Sequence, residues 1–171
     1  MTAETMQEAA GAMGAGDFTA AMNLFDEVRQ ADDNNADAHY GWAEAAFMRL
    51  SMDMEEDVPA ALIMRGYKQA MSLDEENLNY VGSFANFCLD CGRIPMAVKE
   101  YQRLEKMAEL AEIPVEDTLF DASRLIVEAI ERLDPERKNP MVAPWLKQAL
   151  TWAVGGLGFS AEDAVATLGE D

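Results

Sequence analysis

An internal repeat restricts the fold of this chain more than any other feature of its sequence. Residues 16–28, GDFTAAMNLFDEV, align without a gap with residues 92–104, GRIPMAVKEYQRL. The alignment pairs Gly16 with Gly92 at its start and Phe25 with Tyr101 near its end. The chain between the two segments is long enough to hold a further copy of the same unit.

The segment YKQAMSLDEEN, residues 67–77, supplies that copy. Its LDEEN matches the acidic turn ADDNN at residues 31–35. Tyr67 precedes Tyr101 by about 34 residues, a period typical of solenoids, in which one supersecondary unit buries its apolar face against the next. Phe25 precedes Tyr67 by the same interval plus an insertion of eight.

The order of glycine, aromatic, alanine, aromatic and acidic turn within one such period resembles the tetratricopeptide repeat, a helix–turn–helix unit. The resemblance implies an all-α fold, a right-handed superhelical array of such repeats closed by C-terminal capping helices. It divides residues 1–111 into three repeats and leaves a C-terminal helical cap and tail, with the boundaries 2–35, 36–77, 78–111 and 112–171.

The second repeat departs from the family pattern. Its eight extra residues lie around MRLSMDMEEDVP, and no glycine separates its two helices. Eight residues correspond to about two helical turns. We therefore expect a longer first helix in this repeat, ending before Pro59, because the residue before a proline disfavours the helical region.

The third repeat contains both cysteines of the chain, spaced as C-x-x-C. Its first helix carries an apolar stripe with helical spacing, followed by Gly92 as a stop signal. The stripe consists of Val81, Phe84, Ala85 and Cys88. We therefore expect Cys88 in the core and Cys91 at the edge of the same stripe, both reduced.

Metal and redox interpretations of the C-x-x-C pair are less favoured. Structural zinc needs four nitrogen or sulfur ligands, whereas the chain has two cysteines and one histidine, His39, which lies in another repeat. A redox dithiol gains from a helix N-terminus, but this pair lies near a C-terminus. His39 heads an apolar stripe of its own and is expected to be a packing residue. The sequence predicts no metal site and no cofactor.

Residues 112–171 do not continue the period. A broad apolar face predicts an amphipathic helix that Pro135 ends and that covers the third repeat. This face consists of Val115, Leu119, Phe120, Ala122, Leu125, Ile126, Ala129, Ile130 and Leu133. A further helix is expected to start after Asn139-Pro140 and to stop at Gly155-Gly156, and a last short one to begin at Ser160.

Two tryptophans, Trp145 and Trp152, lie seven residues apart on one side of the helix after Asn139. Two interpretations remain open. They pack against the preceding capping helix, or they form a self-association patch, since aromatic residues are enriched where proteins meet.

The charge of the chain limits its partners. There are 32 acidic and 13 basic residues among 171, a formal net charge of -19, so nucleic acid and anionic membranes are not expected to bind. No cationic leader or long apolar run indicates export or a membrane span, and we expect a cytoplasmic protein. No phosphate-binding loop, nucleophile elbow or histidine pair is present, so no catalytic residue and no enzymatic activity is predicted.

Tetratricopeptide arrays bind peptide segments on a concave face built from the first helix of each repeat. Position by position, the resemblance places there Met6, Ala10, Met13, Asp37, Tyr40, Glu44, Phe47, Asn79, Asn86, Leu89 and Asp90. Family members that hold the acidic tails of heat-shock chaperones use lysine and arginine on this face. None of the corresponding positions here is basic. The resemblance therefore implies a basic or amphipathic protein segment as the ligand.

Three functions follow as expectations. The first is a non-enzymatic interaction module or adaptor that binds such a segment in its groove. The second is a chaperone for translocator proteins of bacterial type III secretion, since small acidic proteins with three such repeats resemble that group. The third is a structural scaffold that self-associates into a homo-oligomer.

Overall fold

The described part of the chain folds into α-helices joined by short connections. The computed structural model describes residues 2–54, 56–136 and 138–156. Its α-helices are α1 Thr2–Gly14, α2 Phe18–Ala31, α3 Ala36–Met52, α4 Ala60–Leu73, α5 Leu78–Asp90, α6 Ile94–Leu110, α7 Glu116–Leu133 and α8 Ala143–Gly156, with a 3-10 turn at Pro140–Val142. None of the described residues lies in a strand, so the all-α prediction is confirmed for them. Helices α1, α3 and α5 begin at the first residue of the three predicted repeats.

Glycine ends the first helix of the first and third predicted repeats. Gly16 and Gly92 have φ angles of 77° and 69°, in the left-handed region that residues with a β-carbon rarely adopt. After α1, the Gly16 amide donates to Met13 and the next amide donates to the Ala12 carbonyl, the Schellman pattern that satisfies the last carbonyls of a helix. The same pattern follows α5, so both hairpins turn alike.

The eight-residue insertion divides equally between a helix and a connection. Helix α3 has 17 residues, four more than α1 or α5, and the connection 53–59 has seven residues where the other two hairpins have three. The helix therefore gains about one turn and ends before Pro59, as predicted. Met54, with a φ of 57°, adopts the left-handed conformation that glycine adopts in the other two connections.

The chain divides into two compact units, Met1–Phe84 and Ala85–Asp171. In unit 1, consecutive helices α1 to α4 pack against one another, and α1 also contacts α3. Part of its core consists of small residues around the Phe25 ring, namely Ala9, Ala21 and Ala45. Gly41 is buried against that ring, because a β-carbon added there would lie 2.4 Å from it. The missing side chain allows α2 and α3 to approach closely.

In unit 2, α7 packs along α8, and both helices contact α6. Five of the six buried residues of α7, among them Leu119 and Ile126, belong to the predicted apolar face. The sixth is Ser123, which was not predicted, while Phe120 and Leu133 are exposed. Helix α7 ends at Leu133, ahead of Pro135 as predicted. The Asn139 side chain accepts from the Met141 amide and starts the 3-10 turn that leads into α8. The short helix predicted at Ser160 lies outside the described residues.

Cys88 and His39 are packing residues, as the sequence predicts. Cys88 is fully buried, and Cys91 is partly buried. His39 is 7% exposed, and its Nε2 atom lies 2.9 Å from the Asp33 carbonyl oxygen, to which it donates. Both cysteines are free thiols. Burial, followed by the charge of Asp90, raises the pKa of the Cys91 thiol.

Replacement of Gly41 by alanine is expected to destabilise the chain by roughly 1–3 kcal/mol, because the added methyl group meets the buried Phe25 ring. The control is Gly11→Ala on the exposed side of α1, where nothing lies within 4 Å of the added β-carbon. That change should stabilise by about 0.5–1 kcal/mol through helix propensity. Urea denaturation measures both, and a shift of the same sign in the two variants would contradict the close approach of α2 and α3.

Cysteine labelling is expected to proceed in two steps in the native protein. Cys91 should react first but more slowly than an exposed thiol, because its raised pKa lowers the thiolate fraction at neutral pH. Cys88 should react only on opening of unit 2, since it is fully buried. Mass spectrometry of iodoacetamide-treated Cys88→Ala and Cys91→Ala variants gives the two rates. Rapid native labelling of Cys88 would contradict its place in the core.

Candidate functional site

Carboxylates and aromatic hydroxyls come together on one face of unit 1. Asp37, Tyr40 and Glu44 follow one another at i, i+3 and i+7 along α3, which places them on the same side of that helix. Asp37 is exposed, whereas Tyr40 and Glu44 are half-buried. We call this set, with the residues that contact it, the tyrosine–carboxylate cluster. Its further members are Tyr67 on α4 and Tyr80 and Ser83 on α5.

Two side-chain hydrogen bonds join α3 to α5. Tyr80 donates its hydroxyl to an Asp37 carboxylate oxygen, and the Tyr40 hydroxyl lies 3.0 Å from Ser83 Oγ. Both pairs are separated by 43 residues in sequence. Equal separations mean that partners advance together along the two helices, so α3 and α5 run in the same direction. The ring of Tyr40 also stacks on that of Tyr80, with centroids 4.6 Å apart.

A third hydrogen bond joins the two helices of the second hairpin. The Tyr67 hydroxyl donates to Glu44 Oε1 at 2.5 Å, and the Tyr67 ring meets Tyr40 edge-on, with a centroid distance of 6.2 Å. Tyr67 itself is fully buried. A buried hydroxyl therefore fixes the position of a partly exposed carboxylate.

The same kind of bond recurs in unit 2, where Tyr101 of α6 donates to Asn86 Oδ1 of α5. The partners are 15 residues apart there and 23 residues apart in the Tyr67–Glu44 pair. The difference of eight is the length of the insertion, so the two bonds occupy equivalent positions of two predicted repeats. In the first repeat the equivalent residues are Ala10 and Phe25, which lack both the acceptor and the donor. Donor and acceptor thus change together.

Burial dominates the acid–base behaviour of this cluster. It raises the pKa of Glu44, and hydrogen bonds from Tyr67 and Ser83 offset that rise only in part. Folding therefore favours protonated Glu44, and the resulting stability is complete below the ordinary pKa and is lost as the pH rises through the folded value. Burial and the nearby charge of Glu44 also raise the pKa of Tyr40, so this hydroxyl stays neutral.

The arrangement is suited to binding cations. A carboxylate offers about four acceptor positions; Asp37 uses one for Tyr80, and Glu44 uses two, for Tyr67 and Ser83. The remaining positions are available to an ammonium or guanidinium group. Phe47 lies one turn beyond Glu44 on the same face and is half-buried, which adds an apolar surface beside the charges.

The other predicted groove residues of unit 1 contribute less. Met6 and Met13 are partly buried and pack against the cluster of small residues around Phe25, so they act mainly in the core. Asn79 is exposed at the start of α5, and its backbone amide donates to Asn77 Oδ1.

In unit 2, the predicted residues fall into exposed and buried groups. Asn86 and Asp90 are exposed, whereas Leu89 is 4% exposed and offers almost no surface to a ligand. Trp152 is 3% exposed and meets the Tyr101 ring edge-on at 6.0 Å, while Trp145 is half-buried. Of the two tryptophans, Trp145 has the surface that a self-association patch would require.

Sequence reasoning missed Tyr80 and Ser83, and it used Tyr67 only as the recurring aromatic residue of the repeat. The recurrence of Tyr67 at Tyr101 is visible in the sequence, but the acceptors are not. They could be found only by looking for a hydrogen-bond acceptor at the same position of both first helices, 23 residues before Tyr67 and 15 residues before Tyr101. Glu44 and Asn86 satisfy that condition. No sequence signal marks Tyr80, because its bond to Asp37 joins different repeats.

Neither a metal centre nor a membrane span is found in the part of the chain that the structure describes. No three His, Cys, Asp or Glu side chains in it are grouped so that they could hold a metal ion. No helix in it combines the length and the apolar character needed to cross a bilayer.

Replacement of Tyr67 by phenylalanine is expected to raise the pKa of Glu44 further, because the lost hydrogen bond stabilises the ionised carboxylate. A carbon-13 NMR titration of the Glu44 carboxyl group measures this pKa. The matched control is Tyr101→Phe, which removes the equivalent hydroxyl from an amide that does not titrate. An unchanged or lower Glu44 pKa in Tyr67→Phe would show that the hydroxyl does not stabilise the charge.

No protein-family model matches the chain. A search of curated proteins finds no significant match. Function is therefore inferred from the contacts of this chain.

Proposed function

We propose that this chain is a tetratricopeptide-type repeat protein that binds a basic or amphipathic segment of a partner protein, without catalysis, as an interaction module or adaptor in the cytoplasm. The binding face in unit 1 is the tyrosine–carboxylate cluster together with Phe47. Partner recognition rests on charge, because the cluster presents Asp37 and Glu44 within a chain of net charge -19.

One observation carries the assignment to a repeat architecture. The Tyr67–Glu44 and Tyr101–Asn86 bonds differ in sequence separation by the length of the insertion alone. Chance pairing of side chains would not preserve this relation across two hairpins. Parallel α3 and α5, joined by two bonds of equal sequence separation, are also what neighbouring first helices of a repeat array require.

The hydrogen bonds of the cluster support a binding role. Tyrosine hydroxyls hold Asp37 and Glu44 before any ligand arrives, so less side-chain entropy is lost on binding. Burial of Glu44 disfavours its charge in the free protein. A ligand cation would relieve that penalty, and it would therefore bind more tightly above the Glu44 pKa than below it.

The hydrogen bonds that the histidine and the tyrosine hydroxyls already make support a non-enzymatic role. His39 is the single histidine, and its Nε2 atom donates to the backbone of Asp33. The hydroxyls of Tyr67 and Tyr80 donate to carboxylates, and burial keeps the Tyr40 hydroxyl neutral. These side chains hold the fold together and do not resemble a poised nucleophile and base.

Self-association into a structural scaffold is the alternative that a specific observation favours. Unit 2 exposes several large apolar side chains, namely Leu110, Ile113, Phe120, Leu133, Met141 and Leu150. Exposed apolar groups of this size are typical of interaction surfaces when they are contiguous. Light scattering of the purified chain separates the two functions, since an adaptor is expected to be a monomer.

Binding of an amphipathic leucine–lysine peptide tests the proposal. We expect the peptide to bind and its leucine–glutamate counterpart not to bind, with an association rate that falls as salt rises. Phe47→Ala should weaken binding by about 2 kcal/mol if this ring is an anchor. Asp37→Asn keeps the acceptor for Tyr80 and should lower the association rate.

The control for a general charge effect is Asp121→Asn, which removes one exposed carboxylate from α7 in unit 2. Both asparagine variants have the same net charge. If they weaken binding equally, the peptide recognises the overall charge and the proposed site is wrong. Folding of each variant is checked by circular dichroism.

A further inference from the structure

A pocket lies in unit 1, apart from the tyrosine–carboxylate cluster. Helices α2 and α4 form its two sides, and His39 and Trp42 of α3 line it between them. Its volume is about 610 Å³, which falls in the range of small-molecule pockets. Its lining includes no member of the cluster, so any ligand of this pocket is independent of the proposed peptide site.

A stacked arginine forms the α2 side of the pocket. The Arg29 guanidinium lies over the Trp42 ring, 4.3 Å from its centroid, and pairs with Asp26. Gln30 donates to the second oxygen of the same carboxylate at 2.8 Å. Asp26 is thereby neutralised. The Arg29 Nε–H is buried and has no hydrogen-bond partner among the described residues, so this wall holds an unused donor.

The α4 side presents an accessible cation beside an apolar group. Arg65 is exposed, and no described residue forms an ion pair or hydrogen bond with its guanidinium. Gln69 lies one turn further along the same face, and Leu62 one turn earlier is 47% exposed. Between them Gly66 has no side chain. Its absence leaves the indole edge of Trp42 as an apolar part of the lining.

We propose that this pocket binds a small molecule in which an apolar ring or chain carries one carboxylate. The carboxylate pairs with Arg65, whose planar fork matches its two oxygens, and the apolar body lies against Trp42 and Leu62. The side-chain amides of Gln30 and Gln69 are further polar groups in the lining.

The surrounding charge favours a monoanion over a phosphate. Asp26 and Asp33 also line the pocket, and Asp33 is held at its rim by the His39 bond to its backbone. These two carboxylates balance the two arginines. Because the charges of the empty pocket already balance, a carboxylate adds one uncompensated negative charge and a dianionic group adds two, so repulsion from Asp26 and Asp33 disfavours the dianion more strongly.

Titration with naphthoate, observed by NMR, tests this inference. The Trp42 indole and Gly66 amide signals should shift saturably, with naphthoate binding at least about tenfold more tightly than neutral naphthamide, since a charge-assisted hydrogen bond is stronger than a neutral one. Arg65→Gln should remove that preference for the acid. This variant is expected to fold, because Arg65 is exposed.

Lys68→Gln is the matched control, because it removes the same charge from the same helix outside the pocket. It should leave the naphthoate affinity unchanged. Three results would each overturn the proposal: no saturable shift up to about 10 mM, equal affinity for acid and amide, or equal losses in the two glutamine variants. The leucine–lysine peptide, titrated into Arg65→Gln, should bind as it does to the unmodified chain.

Discussion

A buried aromatic ring on the second helix of each hairpin is the contact on which the rest of the fold depends. Phe25, Tyr67 and Tyr101 are each at most 5% exposed. Burial of such a ring contributes more than that of most side chains, and its size fixes how closely the neighbouring helix approaches. Phe25 requires a glycine at position 41, whereas the two tyrosines extend to hydrogen-bond acceptors.

The tyrosine hydroxyls connect the core to the surface. A ring packed in the interior ends in a polar atom, and that atom must find a partner, which in unit 1 is the carboxylate of Glu44. The interaction that satisfies the core therefore also determines where negative charge is presented. A change in the core around Tyr67 would alter the charged face without any substitution on that face.

Local signals predicted the helices well because they act within a few residues. Gly92 ends α5, Pro135 follows the end of α7, and Asn139 starts the turn into α8. The bond of Tyr80 to Asp37 could not be predicted in this way, since it depends on how two helices pack. The left-handed conformation of Met54 was equally unpredictable, because this conformation is typical of glycine and not of methionine. Half of the insertion joined α3, since nothing in the segment RLSM at residues 49–52 breaks a helix.

The connection between α3 and α4 shows how much additional chain this hairpin accepts. It has seven residues where the other two hairpins have three. Tyr67 still reaches Glu44, because the extra residues lie past the segment of α3 that contacts α4 through this pair. The entropy cost of closing a loop rises by only about 0.6 kcal/mol for each doubling of its length. A reporter peptide or a recognition epitope could therefore be inserted in the segment 53–59, because the contacts between α3 and α4 would hold the two ends of the insert together.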